Sequence, residues 1–465
     1  MRQVHTGIEF PRFGVTLQTA RRRAGLTQEQ LSTASGISVR AIRDLELGRA
    51  HRPRRETIRL LADALGLSGS HRVLLESGSG HDAVDSTVRQ MYEEQLASPP
   101  AATSPLIGRE RELDVVAGAL LTGQERLLSL VGLPGVGKSR LALAVARRYE
   151  AEREARVLWL PVSSSPTGLP PSGPAPEPDR AQALLTSWTL DRLAGRGPLE
   201  DLVRLIGGRR TLLVLDGYED AAVDRDSLLR LLAGCDGLQV LVTARAPLPV
   251  LGVRAVPLAA LPVGFFAGGP DGGGERAAGA AVRLMASHVR YTRPALRQTA
   301  AVTEAIAGLC RQLDGVPLAL NTAAGWLPMY APEQLLAVAR DNPLHLVEPV
   351  FSGDFFPGES CAGPMGEPDL GMLIRGTVSG LRPGPARLLA VLARRNGACP
   401  TDEVLSLAGG SPGEVTRSLR GLLLRGLIRE ERLPEGGTAV SVLNLVRHVL
   451  RPACEPAPLT AVGRT

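Results

Sequence analysis

The stretch GLPGVGKS, Gly132 to Ser139, has the spacing G-x-x-x-x-G-K-[ST]. An apolar run precedes it and a helical pattern follows. Glycines at Gly132, Gly135 and Gly137 would let backbone N–H groups curl around phosphate oxygens, and the helix N-terminus would add its partial positive charge. Ser139 is placed to ligate Mg²⁺. Lys138 is the only lysine in the chain; the other basic residues are all arginine. A compact ammonium can slide between the β- and γ-phosphates where a planar, branched guanidinium is too wide. That explains why arginine replaced lysine everywhere but here.

Such a loop needs an acid to hold the magnesium from a neighbouring strand. TLLVLDGYED supplies Asp216 at a strand end, followed by Glu219 and Asp220. Asp216 is the expected Mg²⁺ partner, through water, and one of Glu219 and Asp220 would polarise an attacking water, with Glu219 taken as the candidate base. TARAPL ends the next strand, and its Arg245 could touch a γ-phosphate and report its presence. Lys138, Asp216, Glu219 and Arg245 are therefore the catalytic candidates, with Ser139 and Asp216 on the metal and ATP or ADP with Mg²⁺ as cofactor.

These residues need a scaffold, and 465 residues suffice for two to four domains. Hydrophobic residues are 44% and charged residues 22%, as in globular domains with cores. The five cysteines form no CxxC pair, which argues against a disulfide framework or a zinc site. No apolar signal core opens the chain and no run of about 18 apolar residues appears, so the expected location is the cytoplasm. The net charge of +6 lies in residues 1–80, which hold 13 Arg against 7 Asp and Glu. Nucleic acid is the natural partner of such a domain.

The pattern predicts a multidomain chain. Residues 1–77 read as short helices: VTLQTARRRAG, LTQEQLSTASG with Thr27 and Gln30 as a capping box, ISVRAIRDLELG, and RRETIRLLADALGL. Ile42 and Leu45 point inward on the third; Ile58, Leu61, Ala62 and Leu65 share a face of the fourth. Residues 78–104 read as a linker. From 105 to 262, RLLSLVG, TLLVLDG and LQVLVTAR read as buried parallel strands with helices between them. PVSSSPTGLPPSGPAPEPD and GFFAGGPDGGGERAAG read as loops. Residues 263–368 return to helices, and 369–465 hold short helices with a hairpin around EERLPEGGTAVSVL.

Residues 105–345 resemble the NB-ARC branch of the STAND class of signal-transduction NTPases, as found in actinobacterial regulators. LIGRERELDVV is similar to its opening adenine-contact segment. GLPGVGKSRLA, LLVLDGYED and LVTARAPL resemble its Walker A, Walker B and sensor-1 motifs, and CRQLDGVPLALNTAA its G-L-P-L-A helix start. The resemblance implies nucleotide contacts from Ile107 and Arg109, from Arg140 beside the loop, and from Pro317 against adenine. Residues 375–452 resemble the winged helix of that family, with Leu443 and Asn444 standing where plant relatives carry His and Asp. Larger relatives continue into sensor repeats; none is visible before Thr465.

The first domain resembles an Xre/Cro-type helix-turn-helix. That resemblance places Gln28 at a phosphate or operator edge and turns Ser38, Val39, Arg40, Arg43 and Asp44 toward the major groove. Arginines at the N-terminal half of a helix can read guanine O6 and N7. Arg49, Arg52, Arg54 and Arg55 would hold phosphates.

Together these expectations describe a DNA-binding transcription regulator switched by ADP and ATP. It would self-associate in the ATP form and use slow hydrolysis, if any, as a reset. The competing reading is an ATP-dependent assembly or defence-type signalling protein whose first domain docks a protein partner. Salt separates the two, because DNA binding weakens steeply as salt rises. A metabolic ATPase fits less well, since no substrate residues stand out beyond the nucleotide set.

Overall fold

The computed structural model describes residues 12–24, 26–47, 49–50, 53–65, 99–101, 104–153, 155–162, 177–218, 223–250, 252–266, 277–297, 299–347, 369–395, 397–407, 409, 411–433 and 436–451. They fall into two units, one built on the N-terminal helices and one on the rest of the chain.

Four helices open the first unit: α1 (Arg12–Arg23), α2 (Gln28–Ser35), α3 (Val39–Glu46) and α4 (Arg55–Ala64). Leu17, Leu31, Ile42, Leu45, Ile58 and Leu61 form its core, with the predicted inward residues all buried. The capping box at the start of α2 is present: the Gln30 N–H donates to Thr27 Oγ1 at 3.1 Å, and Gln30 Oε1 accepts from the Thr27 N–H at 2.8 Å. Gly36, at φ +71°, ends α2. Ser38 caps α3 by accepting from the Ala41 N–H at 3.3 Å. Caps at both ends of a three-residue turn fix where α3 starts and which face it shows.

The second unit contains α5 (Glu110–Leu121), β1 (Leu127–Val131), α6 (Lys138–Arg153) and β2 (Arg156–Pro161). Next in the chain come α7 (Glu177–Leu193) and α8 (Leu199–Ile206), most of whose residues group with the first unit. The second unit resumes with β3 (Thr211–Tyr218), α9 (Arg225–Gly234), β4 (Leu238–Ala244) and β5 (Arg254–Pro257). The five strands make one parallel sheet in the order β2-β3-β4-β1-β5. Every residue of β1 and β4 is buried, as expected of strands covered on both faces.

This topology corrects the sequence reading in three places. Asp216 was expected on a strand neighbouring the loop-bearing one, but β4 lies between β1 and β3. Strand β2 lies where only helical stretches were foreseen, and β5 where no element was named. β5 is a four-residue edge with half-exposed residues, too short and too mixed to declare itself. The stretch read as a loop from 264 to 279 begins and ends in a two-stranded antiparallel ladder, β6 (Phe265–Phe266) with β7 (Ala277–Ala278).

Helices α10 (Ala280–Thr292), α11 (Ala300–Gln312), α12 (Pro317–Ala324) and α13 (Pro332–Asp341) follow, then a 3₁₀ turn at Pro343–Leu346. The last part is α14 (Leu370–Ser379), α15 (Pro383–Ala393), β8 (Cys399–Pro400), α16 (Thr401–Leu407), α17 (Pro412–Leu424), β9 (Ile428–Arg432), β10 (Thr438–Val442) and α18 (Asn444–Leu450). Its strands form an antiparallel sheet in the order β8-β10-β9, and β9–β10 is the predicted hairpin. Three helices with such a hairpin form a winged-helix arrangement. Among the described residues no helix is long and apolar enough to cross a membrane.

Candidate functional site

The glycine-rich loop joins β1 to α6, so Lys138 is the first residue of the helix and Ser139 lies in its first turn, exposed. Gly135 has φ +76°, and a Cβ there would come within 2.7 Å of the Leu318 side chain. Only glycine satisfies both the backbone angle and the close approach. The Lys138 ammonium donates to the carbonyls of Gly132 at 2.8 Å and Leu133 at 2.9 Å. Burial, and then the nearby Arg245 charge, push its pKa down to about 8, while Asp216 pulls the other way. The lysine is a poorly solvated cation short of negative charge, a state that a phosphate would relieve.

Asp216 and Arg245, both named for their places at strand ends, therefore lie within electrostatic reach of Lys138. The inserted strand also orients the acid. Thr243 on β4 donates its hydroxyl to Asp216 Oδ1 at 2.7 Å and accepts from the Gly217 N–H at 2.8 Å. The β3–β4 register shifts at this point, between Leu215 and Tyr218. Thr243 was not singled out in the sequence; its signal is a hydroxyl two residues before Arg245, which means little until the strand order is known. Among the described residues no three His, Cys, Asp or Glu come together to hold a metal. One carboxylate with one hydroxyl suits Mg²⁺ carried in by phosphates better than a cage of protein ligands. Glu219 and Asp220 lie outside the described residues.

The other expected contacts serve as braces. Arg109 is buried and donates to the carbonyls of Val136 at 3.1 Å and Ala259 at 2.5 Å and to Glu112 at 2.8 Å. It supports the loop from behind. Arg140 binds the Ser104 and Pro105 carbonyls, which ties α6 to the segment before Ile107. Ile107 is half-buried against the core. Pro317 opens α12 beside Gly137, and the next N–H, of Leu318, donates to the Gly135 carbonyl at 3.1 Å.

The connection between α11 and α12 also reaches the winged-helix part. Asp314, buried at φ +55°, accepts the Leu445 N–H at 2.8 Å. Asn444 Nδ2 donates to both the carbonyl and Oε1 of Gln312, at 2.9 and 3.0 Å. Leu443 is buried. Above the loop itself, Gly426 lies so close that a Cβ on it would be 3.1 Å from the Leu133 nitrogen.

In the first unit, Arg40 and Arg43 project from α3 into solvent. Asp44 lies between Arg40 and Arg49, at 4.0 and 3.9 Å. The Ser38 hydroxyl is engaged as the helix cap, Val39 is half-buried, Arg54 is the exposed residue before α4, and Arg55 opens that helix. Arg52 lies outside the described residues. Gln28 is held inside the unit: its Nε2 donates to Glu46 Oε2 at 2.7 Å, while Arg21 Nε donates to Glu46 Oε1 at 2.6 Å. Burial alone would raise the Glu46 pKa, but the Arg21 and Gln28 bonds outweigh it and hold it below the usual carboxylate value. A depressed carboxylate pKa adds stability at neutral pH that is lost as pH falls through it. Glu46→Gln is expected to lower the melting temperature at pH 7 and to lose less than wild type between pH 5 and pH 3. Parallel pH profiles would show that the triad adds no charge-dependent stability.

Residues 12–75 match the helix-turn-helix domain family. Helices α1 to α4 within this span form a helix-turn-helix domain. A Mycobacterium tuberculosis protein named as an HTH-type transcriptional regulator is 29% identical over 217 residues, 46% of this chain and 22% of that protein. The regulatory protein AfsR of Streptomyces coelicolor is 32% identical over 209 residues, 41% of this chain and 20% of that protein. An uncharacterized M. tuberculosis protein is 29% identical over 246 residues, 51% of this chain and 54% of that one. The chain thus spans between 20% and 54% of the length of these relatives. The crystal structure of a STAND protein with a tetratricopeptide repeat sensor from Pyrococcus horikoshii covers 78% of this chain and 44% of its own, at 17% identity. Its TM-score of 0.27 is too low to bear on the fold.

Proposed function

We propose that this chain is a DNA-binding transcription regulator whose glycine-rich loop takes ADP or ATP and uses the exchange as a switch of the STAND, NB-ARC type. The observation that carries the switch is the connection 312–318. It bonds the loop through Leu318 and the winged-helix part through Gln312 and Asp314. A change at the phosphates therefore has a short path to the contacts that keep the winged helix closed.

In this reading ADP is held by the loop amides, Lys138 and Ser139, with Arg109 and Pro317 shaping the site. Bound Mg²⁺-ATP supplies a third phosphate and a second positive centre. Arg245 would then meet the third phosphate, Asp216, held by Thr243, would face the metal, and the closed contacts would yield to self-association. Paired helix-turn-helix units would read half-sites through Arg40 and Arg43. Any hydrolysis is a slow reset, below about 1 s⁻¹ and so slower than dedicated kinases.

The test is DNA affinity with ADP, with a non-hydrolysed ATP analogue and with no nucleotide, at one salt concentration. A stronger complex with the ATP analogue, by tenfold or more, is expected. Equal affinities in all three would end the switch and leave DNA binding standing. Binding that ignores salt would favour protein docking by the first unit.

A further inference from the structure

The winged-helix part repeats the design of the first domain. Helices α16 and α17 are joined through Gly409 at φ +58°, as α2 and α3 are joined through Gly36 at φ +71°. Both second helices start after a serine: Ser38 caps α3, and the Ser411 N–H donates to Glu414 Oε2 at 3.2 Å to open α17. Both present two exposed arginines three residues apart, Arg40 and Arg43 on α3, Arg417 and Arg420 on α17. A short turn with a left-handed glycine between two packed helices is the helix-turn-helix arrangement itself.

The faces of α17 differ sharply. Val415, Leu419 and Leu422 are buried inward. The opposite face carries Gly413, Thr416, Arg417, Arg420 and Gly421, with the exposed Glu414 at its N-terminal edge and the half-buried Leu424 at its C-terminal end. Neither of these arginines pairs with a carboxylate among the described residues, unlike Arg148, Arg254 and Arg311 elsewhere in the same unit. Arg387 on α15 adds a third exposed guanidinium near the start of α17. The Ser411 bonds to Glu414 lead in holding its carboxyl below the usual range, and Arg417 and Arg387 are both near enough to assist.

Charge follows the same division. Residues 370–451 hold 12 Arg against 6 Asp and Glu, while residues 81–369 hold 27 basic against 33 acidic. The acidic excess of the middle cancels the basic winged-helix part, so a whole-chain count hides it. A uniform arginine bias would not concentrate charge in two helix-turn-helix modules and deplete the part between them.

We propose that the outer face of α17, with Arg387 beside it, is a second duplex-DNA surface that grips the sugar–phosphate backbone. This rests on the reading of the chain as a DNA-binding protein. The B-DNA major groove is about 12 Å wide and admits a helix, the more easily one with glycines on its outer face. With two arginines and one threonine the face adds affinity and register; sequence is left to α3.

The test uses the full chain on its selected duplex and on a random duplex, over a range of salt. Arg417→Ala/Arg420→Ala is expected to weaken binding about equally on both. It should also make the slope of log affinity against log salt shallower by about 1.8, from about 0.9 per phosphate contact. Arg417→Lys/Arg420→Lys should restore the slope, and unchanged nucleotide binding would show that the variant is folded. Arg40→Ala/Arg43→Ala should instead remove the preference for the selected duplex. If the α17 variant keeps wild-type affinity and slope while the α3 variant loses binding, this surface is excluded and the helix-turn-helix reading survives. If the wild-type chain binds neither duplex, both fall.

Discussion

Lys138→Ala is expected to purify without nucleotide and to bind ADP roughly a thousandfold more weakly than wild type. The loss corresponds to about 4 kcal/mol, two charge-assisted hydrogen bonds to phosphate. Lys138→Arg should fail nearly as badly, because the obstacle is shape and not charge. The unliganded variant should be no less stable than wild type. The folded pKa of about 8 lies below the ordinary lysine value of 10.5, so the folded state disfavours the ammonium at neutral pH. That penalty is relieved as pH rises through the window between those values, or when an anion arrives. ADP should then raise the wild-type melting temperature and leave that of Lys138→Ala unmoved. Affinity should fall as pH climbs above about 8, where the free site loses its proton, with proton uptake on binding visible by calorimetry in two buffers. Retention of ADP by Lys138→Arg would refute the account of why this chain keeps a single lysine.

The loop was legible because its chemistry is local. Three glycines, a lysine and a serine within eight positions fix both the turn and the ligand class. The capping box of α2 and the apolar runs of β1, β3 and β4 are local in the same way. What could not be read is what the sheet does to distant residues. Nothing near Thr243 or Asp216 says that β4 inserts beside β1 and joins their side chains. Arg109 and Gln28 look available on paper and are committed to carbonyls and to Glu46 in the fold. Asp314, in LDGVPL, looks like an ordinary Asp-Gly turn. Only its tertiary surroundings make it a buried carboxylate.

Asp314 carries the second large effect. Its Oδ2 accepts the Leu445 N–H at 2.8 Å, and its Oδ1 has Arg429 Nη1 at 3.8 Å without a hydrogen bond. Burial pushes its pKa up to about 6, against the Asn444 and Leu445 amides and the Arg429 and Arg447 charges. Asp314→Ala would leave the Leu445 N–H without an acceptor at a cost of about 2 kcal/mol. It would also put alanine at φ +55°, where L side chains are disfavoured. The start of α18 should then exchange its amides faster, and the closed contacts over the loop should loosen. In the proposed switch that variant binds DNA without needing ATP. Asp314→Asn keeps the acceptor and removes the titration. Because the folded pKa exceeds the ordinary aspartate value of 3.8, the folded state holds an extra proton between the two, so wild-type stability falls as pH rises from about 4 to about 6 and is level above. The Asn variant should lack that fall. Melting temperatures at pH 5 and pH 7.5, with amide exchange at 445–447, decide the matter. If wild type and Asp314→Asn give superimposable pH profiles, the buried carboxylate is neutralised in some other way. If Asp314→Ala leaves exchange unchanged, the winged helix is held by the Asn444–Gln312 bonds and the Gly426 contact, and those become the place where the switch must act.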